Sequence, residues 1–89
     1  MTPGERKLLK ARAHGLDPVV TIGAKGLSDA VLAEIDLALK AHELIKVRAA
    51  AMDRDERDEA LLAICGRTGA EAVQQIGKLF VLYRKKHED

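Results

Sequence analysis

Polar and apolar residues follow two different periods along this chain, and the changes of period mark seven elements. Apolar residues three or four positions apart predict helices, whereas short apolar runs and strict alternation predict strands. The predicted helices run from Pro3 to Gly15, from Ser28 to about His42, and from Asp53 to just before Gly69; the predicted strands are 19–22, 44–49, 72–76 and 79–83. The predicted order is therefore α-β-α-β-α-β-β.

Capping signals support this division. Thr2-Pro3-Gly4-Glu5 has the form of a capping box with proline at the first helical position, and residues 53–56 repeat the capping pattern. Ser28 is a good N-cap, and Leu27 and Leu32 have the spacing of a hydrophobic staple. Each predicted helix thus has a defined N-terminus.

Each helix has one apolar side, and that side must be buried. The predicted core-facing residues are Leu8, Leu9, Ala13 and Leu16 on the first helix, Leu27, Val31, Ile35, Ala38 and Leu39 on the second, and Ala60, Leu61, Ile64 and Cys65 on the third. These three stripes need a common apolar surface, which the strands supply.

The last strand decides the topology. It is apolar from Leu79 to Tyr83, as is typical of a strand buried on both faces, whereas Lys46 and Arg48 suit the second strand to a less covered position. Right-handed crossovers make strands 1, 2 and 3 parallel, and the Gly77-Lys78 turn, of type II′ form, makes strand 4 antiparallel. We predict an α/β fold of α+β character: a four-stranded mixed sheet of order 1-2-4-3, with helices 2 and 3 on one face and helix 1 on the other.

Composition narrows the class of protein. The 89 residues are expected to form a single domain, 1–89, and 47% hydrophobic with 33% charged residues is ordinary for a globular chain. Cys65 is the one cysteine and is expected to be inert core in a reducing compartment. No stretch has the length of a membrane span or the form of a signal peptide, so a cytoplasmic protein is expected.

Charge is unevenly distributed, although the formal net charge is only +1. Residues 1–26 carry five lysines and arginines against two acids, residues 53–59 are mostly acidic, and the segment from Lys78 is basic again through Arg84, Lys85 and Lys86. The chain therefore has basic ends and an acidic middle.

The segment from Gly23 to Gly26 is the candidate binding loop. It lies between a predicted strand and the start of a predicted helix, where glycines allow close backbone approach and free N–H groups can meet an anion. Lys25 supplies a counter-charge. Such a turn is by itself more often plain turn chemistry, and it lacks the remaining residues of a P-loop or dinucleotide fingerprint.

Four segments, 19–28, 38–47, 68–70 and 76–84, together resemble the CRM domain, a module of chloroplast RNA splicing factors and of stand-alone bacterial YhbY-type proteins linked to ribosome maturation. The resemblance implies a four-stranded mixed sheet similar to the C-terminal domain of bacterial translation initiation factor 3. It also implies binding of ribosomal RNA or of precursor large-subunit particles.

The family's G-x-x-G loop with its basic residue corresponds to Gly23, Lys25 and Gly26. The predicted topology puts this loop and the Gly77-Lys78 turn at one end of the sheet, and we expect helix 1 to run back against strand 1 and return its basic N-terminal half to that end. The acidic start of helix 3 is expected there too and should bound the patch. The predicted RNA-binding residues are Gly23, Ala24, Lys25, Gly26, Arg6, Lys7, Lys10 and Lys78.

Other kinds of site find little support in the sequence. No acid-base pair or activated nucleophile indicates an enzyme, a cofactor or a small-molecule substrate, and His14, His42 and His87 lack the spacing of metal ligands. Phe80 and Tyr83 are expected in the core, so contacts should be made to phosphates and to RNA shape. A monomer is expected. The alternative is a protein-interaction module that docks on a ribosomal protein or assembly factor through helix 3 and the exposed side of helix 2.

Overall fold

A computed structural model describes residues 1–86; His87, for which no metal role was expected, and the acidic residues 88–89 lie outside the described part. The element order confirms the prediction. The elements are α1 (Pro3–Ala13), β1 (Pro18–Thr21), α2 (Asp29–His42), β2 (Leu44–Arg48), α3 (Arg54–Thr68), β3 (Glu71–Ile76) and β4 (Leu79–Tyr83).

The predicted caps define the helix starts. The Thr2 hydroxyl accepts a hydrogen bond from the Glu5 N–H at 3.1 Å, and the Ser28 hydroxyl accepts one from the Val31 N–H at 3.2 Å. At α3 both halves of a capping box form between Asp53 and Glu56. These bonds satisfy N–H groups that have no partner inside a helix, so the boundaries follow from local chemistry.

The sheet has the predicted order β1-β2-β4-β3. β1 is parallel to β2, and β4 is antiparallel to both β2 and β3. Gly77 has φ +55°, and Lys78 has no positive φ, as a type II′ turn requires. Because β4 is antiparallel to β2, the hairpin turn before β4 lies at the end of the sheet where β1 and β2 end.

The core has two parts, one on each face of the sheet. The larger part lies under α2 and α3 and includes Ile22, Ile35, Val47, Ile64, Phe80 and Leu82. The smaller part lies under α1 and consists of Leu9, Ala13, Leu44, Val73 and Val81, with Tyr83 against it. Since Phe80 and Leu82 face one part and Val81 the other, β4 is buried on both faces, as predicted.

Two core positions predicted for the first helix, Leu8 and Leu16, are wrong. Leu8 is 67% exposed, whereas its neighbour Leu9 is 6% exposed. Successive helix residues are turned by about 100°, so a helix lying on a flat sheet buries a narrow stripe and cannot bury both. Leu16 is also 38% exposed, because α1 has ended before it.

The direction of α1 also differs from the prediction. Its N-terminal half lies beside the start of β3, where Arg6 donates hydrogen bonds to the carbonyls of Ala72 and Val73 at 2.9 and 3.0 Å. Its end lies beside the start of β1. An 11-residue helix is about 16 Å long, close to the ~14 Å width of four strands, so α1 crosses the strands rather than running back along β1.

Arg84 ties the chain after β4 to both helices of the other layer. Its guanidinium donates to the Asp36 carboxylate at 2.6 Å, to the Thr68 carbonyl at 2.7 Å and to the Asp36 carbonyl at 3.1 Å. Lys40 lies 3.2 Å from the same carboxylate. The hydrogen bonds from Arg84 and then Lys40 lower the pKa of Asp36. Arg84 thus serves the fold and is not a free part of a basic tail.

Replacement of Arg84 by Met should therefore lower the free energy of unfolding by about 2 kcal/mol, because three partly buried acceptors lose a charged donor. The melting temperature should fall by roughly 10 °C. Lys85→Met, at the neighbouring exposed position, should change the melting temperature little.

Because the Asp36 pKa is lowered in the folded state, the stabilising effect of the Asp36 carboxylate is complete above about pH 4 and is lost as pH falls through the folded-state pKa. Unfolding curves should show the gap between wild type and Arg84→Met narrowing in that range; a gap independent of pH would contradict this role for Asp36.

Within residues 1–86, none of the helices is both long enough and apolar enough to cross a bilayer.

Candidate nucleic-acid interface

The loop between β1 and α2 is a tight turn held by its own backbone. The Gly26 N–H donates to the Gly23 carbonyl at 3.0 Å, and the Ser28 N–H donates to the Gly26 carbonyl at 3.1 Å. Ile22, immediately before the turn, is fully buried and donates its N–H to the Arg48 carbonyl at 2.7 Å. A short exposed loop is thereby fixed directly to the end of the sheet.

The two glycines of this loop have different roles in the fold. Gly26 has φ +74°, a conformation that side chains with a Cβ disfavour, whereas Gly23 has no positive φ. A Cβ at Gly23 would meet no atom within 4 Å. The fold therefore needs glycine at position 26 but not at position 23, where the open space suits a close external ligand.

The start of α2 offers donors beside this turn. Ser28 satisfies the N–H of Val31, while the N–H groups of Asp29 and Ala30 have no acceptor among residues 1–86. Lys25 is exposed and forms no ion pair in the described part of the chain. The Asp29 carboxylate lies 3.8 Å from Arg67 of α3. Free N–H groups, the helix dipole and one lysine form the arrangement that binds phosphate oxygens.

The hairpin turn lies at the same end of the sheet, as predicted. The Ala49 N–H, just after β2, donates to the Lys78 carbonyl at 2.7 Å, and the Lys78 ammonium donates to the Ala50 carbonyl at 3.3 Å. The row Thr21, Arg48, Leu79 runs across three strands at this end. Lys78 is therefore held near the loop by bonds that leave donors of its ammonium unused.

The acidic start of α3 lies at this end too, on the face covered by α2 and α3. Asp58 lies around the same cavity as Gln75 and Gly77 of the hairpin. Gln75 pairs with Phe80, whose ring belongs to the core under α3, so the cavity opens on that face. Asp58 thus borders the loop end from the face covered by α2 and α3. Two arginines line the same cavity, Arg54 and Arg57.

The cations of α1 are not brought to this end, which corrects the predicted convergence. Arg6, Lys7 and Lys10 follow α1 along the other half of the sheet, and Arg6 is bonded to the start of β3. The pattern of apolar residues fixes which side of α1 is buried but not the direction of its axis. The loop and Lys78 are therefore one cluster, and the α1 cations are a second.

Other reactive groups form no site in the described chain. Burial raises the pKa of the Cys65 thiol, with a smaller effect from the Glu71 carboxylate, so the thiol is protonated at neutral pH. Within residues 1–86, no three His, Cys, Asp or Glu side chains form a group that could hold a metal ion.

Comparison with protein families and solved structures gives one consistent result. The family model of the CRS1/YhbY (CRM) domain matches residues 1–84. A Haemophilus influenzae protein named RNA-binding protein is 48% identical over 84 residues, covering 94% of this chain and 85% of the relative. A Pseudomonas aeruginosa protein whose name includes "probable RNA-binding protein" is 41% identical, covering 96% and 82%. The solution structure of a hypothetical protein from Staphylococcus aureus superposes with a TM-score of 0.86 at 32% identity, covering all of this chain and 93% of that one.

Proposed function

Because this chain belongs to the CRS1/YhbY (CRM) domain family, we propose that it binds RNA, with the Gly23–Gly26 loop as a phosphate-binding element. The names of its relatives from Haemophilus influenzae, Pseudomonas aeruginosa and Bacillus subtilis support RNA as the partner. One observation carries the role of the loop: its turn lies beside the unpaired N–H groups of the α2 start, with Lys25 exposed and unpaired among residues 1–86.

The chemistry of this binding is electrostatic. A phosphate at the loop would accept hydrogen bonds from the N–H groups of the α2 start and lie close to Lys25, while Ala24 and the glycines allow the backbone to approach. Lys78 would meet a neighbouring phosphate, and Arg6, Lys7 and Lys10 would contact the RNA on its other side. Phe80 is fully buried and Tyr83 lies against the core under α1, so contact with the backbone fits better than stacking on bases.

The RNA is proposed to be ribosomal, in free form or within precursor large-subunit particles, and the protein to act in the cytoplasm as a monomer. Binding rather than catalysis is proposed, with no cofactor and no small-molecule substrate. The exposed Leu8, Leu37 and Leu62 lie on three different helices, and scattered exposed leucines of this kind do not require a partner copy. Sedimentation of cell extract, with the protein detected in each fraction, tests which particle carries it.

Binding should depend strongly on salt, because lysines and arginines that meet phosphates release counter-ions. With roughly three to five phosphates neutralised, log Kd against log salt concentration should have a slope of magnitude about 2 to 4, with affinity falling as salt rises. Filter binding of labelled large-subunit ribosomal RNA across a salt series measures it. A slope near zero would instead indicate recognition of bases or of a protein.

The second candidate is docking on a ribosomal protein or assembly factor through α3 and the outer side of α2. It is favoured by Leu62, 75% exposed on the acidic α3, and by Leu37, 65% exposed on α2. The two candidates differ in a direct comparison of ribosomal RNA with a stripped ribosomal-protein fraction. If docking on protein is the function, Leu62→Ser should weaken binding to the ribosomal-protein fraction. If RNA binding is the function, Leu62→Ser should leave the affinity for ribosomal RNA unchanged.

A further inference from the structure

One end of the sheet face on which α1 packs is uncovered. α1 packs on Leu44 and Val73, near the starts of β2 and β3, and on Val81 in the middle of β4. Two residues before Val81, Leu79 points to the same face and stands in one row with Arg48 and Ile76. Arg48 is exposed and Ile76 is 51% exposed. α1 therefore covers the rows of this face near the start of β2. It leaves the row of Arg48, Leu79 and Ile76, near the end of β2, open to solvent. We call this open row, with the residues that border it, the strip.

Arg48 of β2 stands in this open row, and Lys46, which is half-buried and pairs with Val81, stands at the border between the open row and α1. Ile45 and Val47 point into the core under α2 and α3, so Lys46 and Arg48, which alternate with them, point to the α1 face. They lie about 7 Å apart along the strand. Neither forms an ion pair or a side-chain hydrogen bond among residues 1–86. The strip thus carries two unneutralised positive charges.

The two flanks of α1 face opposite ends of the sheet, and one of them borders the strip. Arg12 and Leu16, on one flank of the buried Leu9, line a cavity with Asp17, His42 and Leu44 at the far end of the sheet. Arg6 and Lys10 lie on the other flank, because they are turned about 60° and 100° from Leu9 in the opposite sense to Arg12. That flank faces the open strip. Lys25 and Lys78 lie on the opposite side of the strip, at the end of the sheet where β1 and β2 end.

None of the described residues that form the floor of the strip carries a carboxylate. Its floor consists of Thr21, Lys46, Arg48, Gln74, Ile76 and Leu79. Three acids of the surrounding elements lie elsewhere: Asp17 lies in the far-end cavity, Glu71 is at the far end of β3, 3.7 Å from the N-terminal ammonium, and Asp58 lies on the opposite face. A chain with a formal net charge of +1 therefore has, on one face, a strip whose two charged floor residues are both cations.

We propose that this strip is part of the RNA-binding site and that Lys46 and Arg48 bind backbone phosphates on it. The proposal rests on the proposed function and extends it from the loop to the sheet face. A polyanion lying across the strip joins the two separate clusters of predicted residues, since it reaches Lys25 and Lys78 on one side and Arg6 and Lys10 on the other. The strip has no exposed aromatic ring among the described residues, so it contacts the RNA through charge rather than stacking.

The test compares two doubly substituted proteins of equal charge. Lys46→Gln with Arg48→Gln removes the strip cations, and Arg12→Gln with Lys85→Gln removes one arginine and one lysine from exposed positions elsewhere. Binding of labelled large-subunit ribosomal RNA at low salt should weaken roughly tenfold or more for the first and less than about twofold for the second. The salt slope of the first should fall by about 1.5 in magnitude. Equal affinities of the two would overturn the proposal.

A second measurement needs no variant. Lysine acetylation of the wild-type protein, with and without the same RNA, should show Lys46 protected along with Lys10, and Lys85 unprotected. Full reactivity of Lys46 in the complex would also overturn the proposal. If the wild-type protein binds no RNA at all, the proposed function itself fails, whereas binding without any effect at Lys46 and Arg48 rejects only the role of the strip.

Discussion

Removal of residues 1–15 should abolish cooperative folding. α1 covers Leu44, Val73 and Val81, which are 4%, 1% and 1% exposed, and its loss would put all three in water together with part of Tyr83. Each buried side chain of this size is worth roughly 1.5–3 kcal/mol, against about 5–15 kcal/mol for a whole domain. Thermal unfolding should lose its sharp transition, and light scattering should show aggregation through the bared sheet face.

Point variants on α1 provide the matched control for this deletion. Leu9→Ala should cost roughly 2–5 kcal/mol, since Leu9 is 6% exposed, whereas Leu8→Ala should cost little, since Leu8 is 67% exposed. A truncated protein that stays monomeric and melts sharply would show that α1 is not needed to cover the sheet.

Secondary structure and topology could be predicted because their determinants are local. The capping residues Ser28 and Asp53 form the bonds that their positions predict. The apolar run 79–83 predicts a central strand, and β4 lies between β2 and β3. The crossover rule supplied the parallel direction of strands 1, 2 and 3.

Features that depend on contacts distant in sequence could not be predicted. Arg84 belongs to a basic run, yet its partners Asp36 and Thr68 lie 48 and 16 residues away and only the fold brings them to it. The direction of α1 is set by where the sheet offers apolar side chains, which no helical period encodes. The sequence predicts that β2, with Lys46 and Arg48, is less covered than β4. It does not predict that these two residues lie beside the α1 cations, because that depends on the direction of α1.

The glycine loop gives the second large effect. Gly26→Val should lose stability as well as RNA binding, because a β-branched residue at φ +74° is strained by roughly 2 kcal/mol even with open space around it. Gly23→Ala should keep the stability, since its φ is not positive, and weaken only the binding, since the added methyl group meets the ligand. Melting temperature and affinity, measured on the same preparations, separate the two roles; a Gly23→Ala protein with unchanged affinity would argue against close approach at that residue.

Lys25 carries the charge that the loop contributes. Lys25→Ala should remove one charge-assisted contact, worth roughly 1.5–3 kcal/mol at most, and should leave folding unchanged because the side chain is exposed. Lys85→Ala is the matched control, with the same change of charge at an exposed position beside Arg84 and Asp36.

The most direct measurement is therefore the dissociation constant for large-subunit ribosomal RNA at low salt, for wild type, Lys25→Ala and Lys85→Ala, each confirmed as folded by its melting curve. The predicted result is a loss of affinity of roughly tenfold or more, at most about a hundredfold, for Lys25→Ala, and a change within about twofold for Lys85→Ala. Equal affinity of wild type and Lys25→Ala would contradict the loop as a phosphate-binding element and leave the sheet strip and α1, or docking on a protein, to account for function.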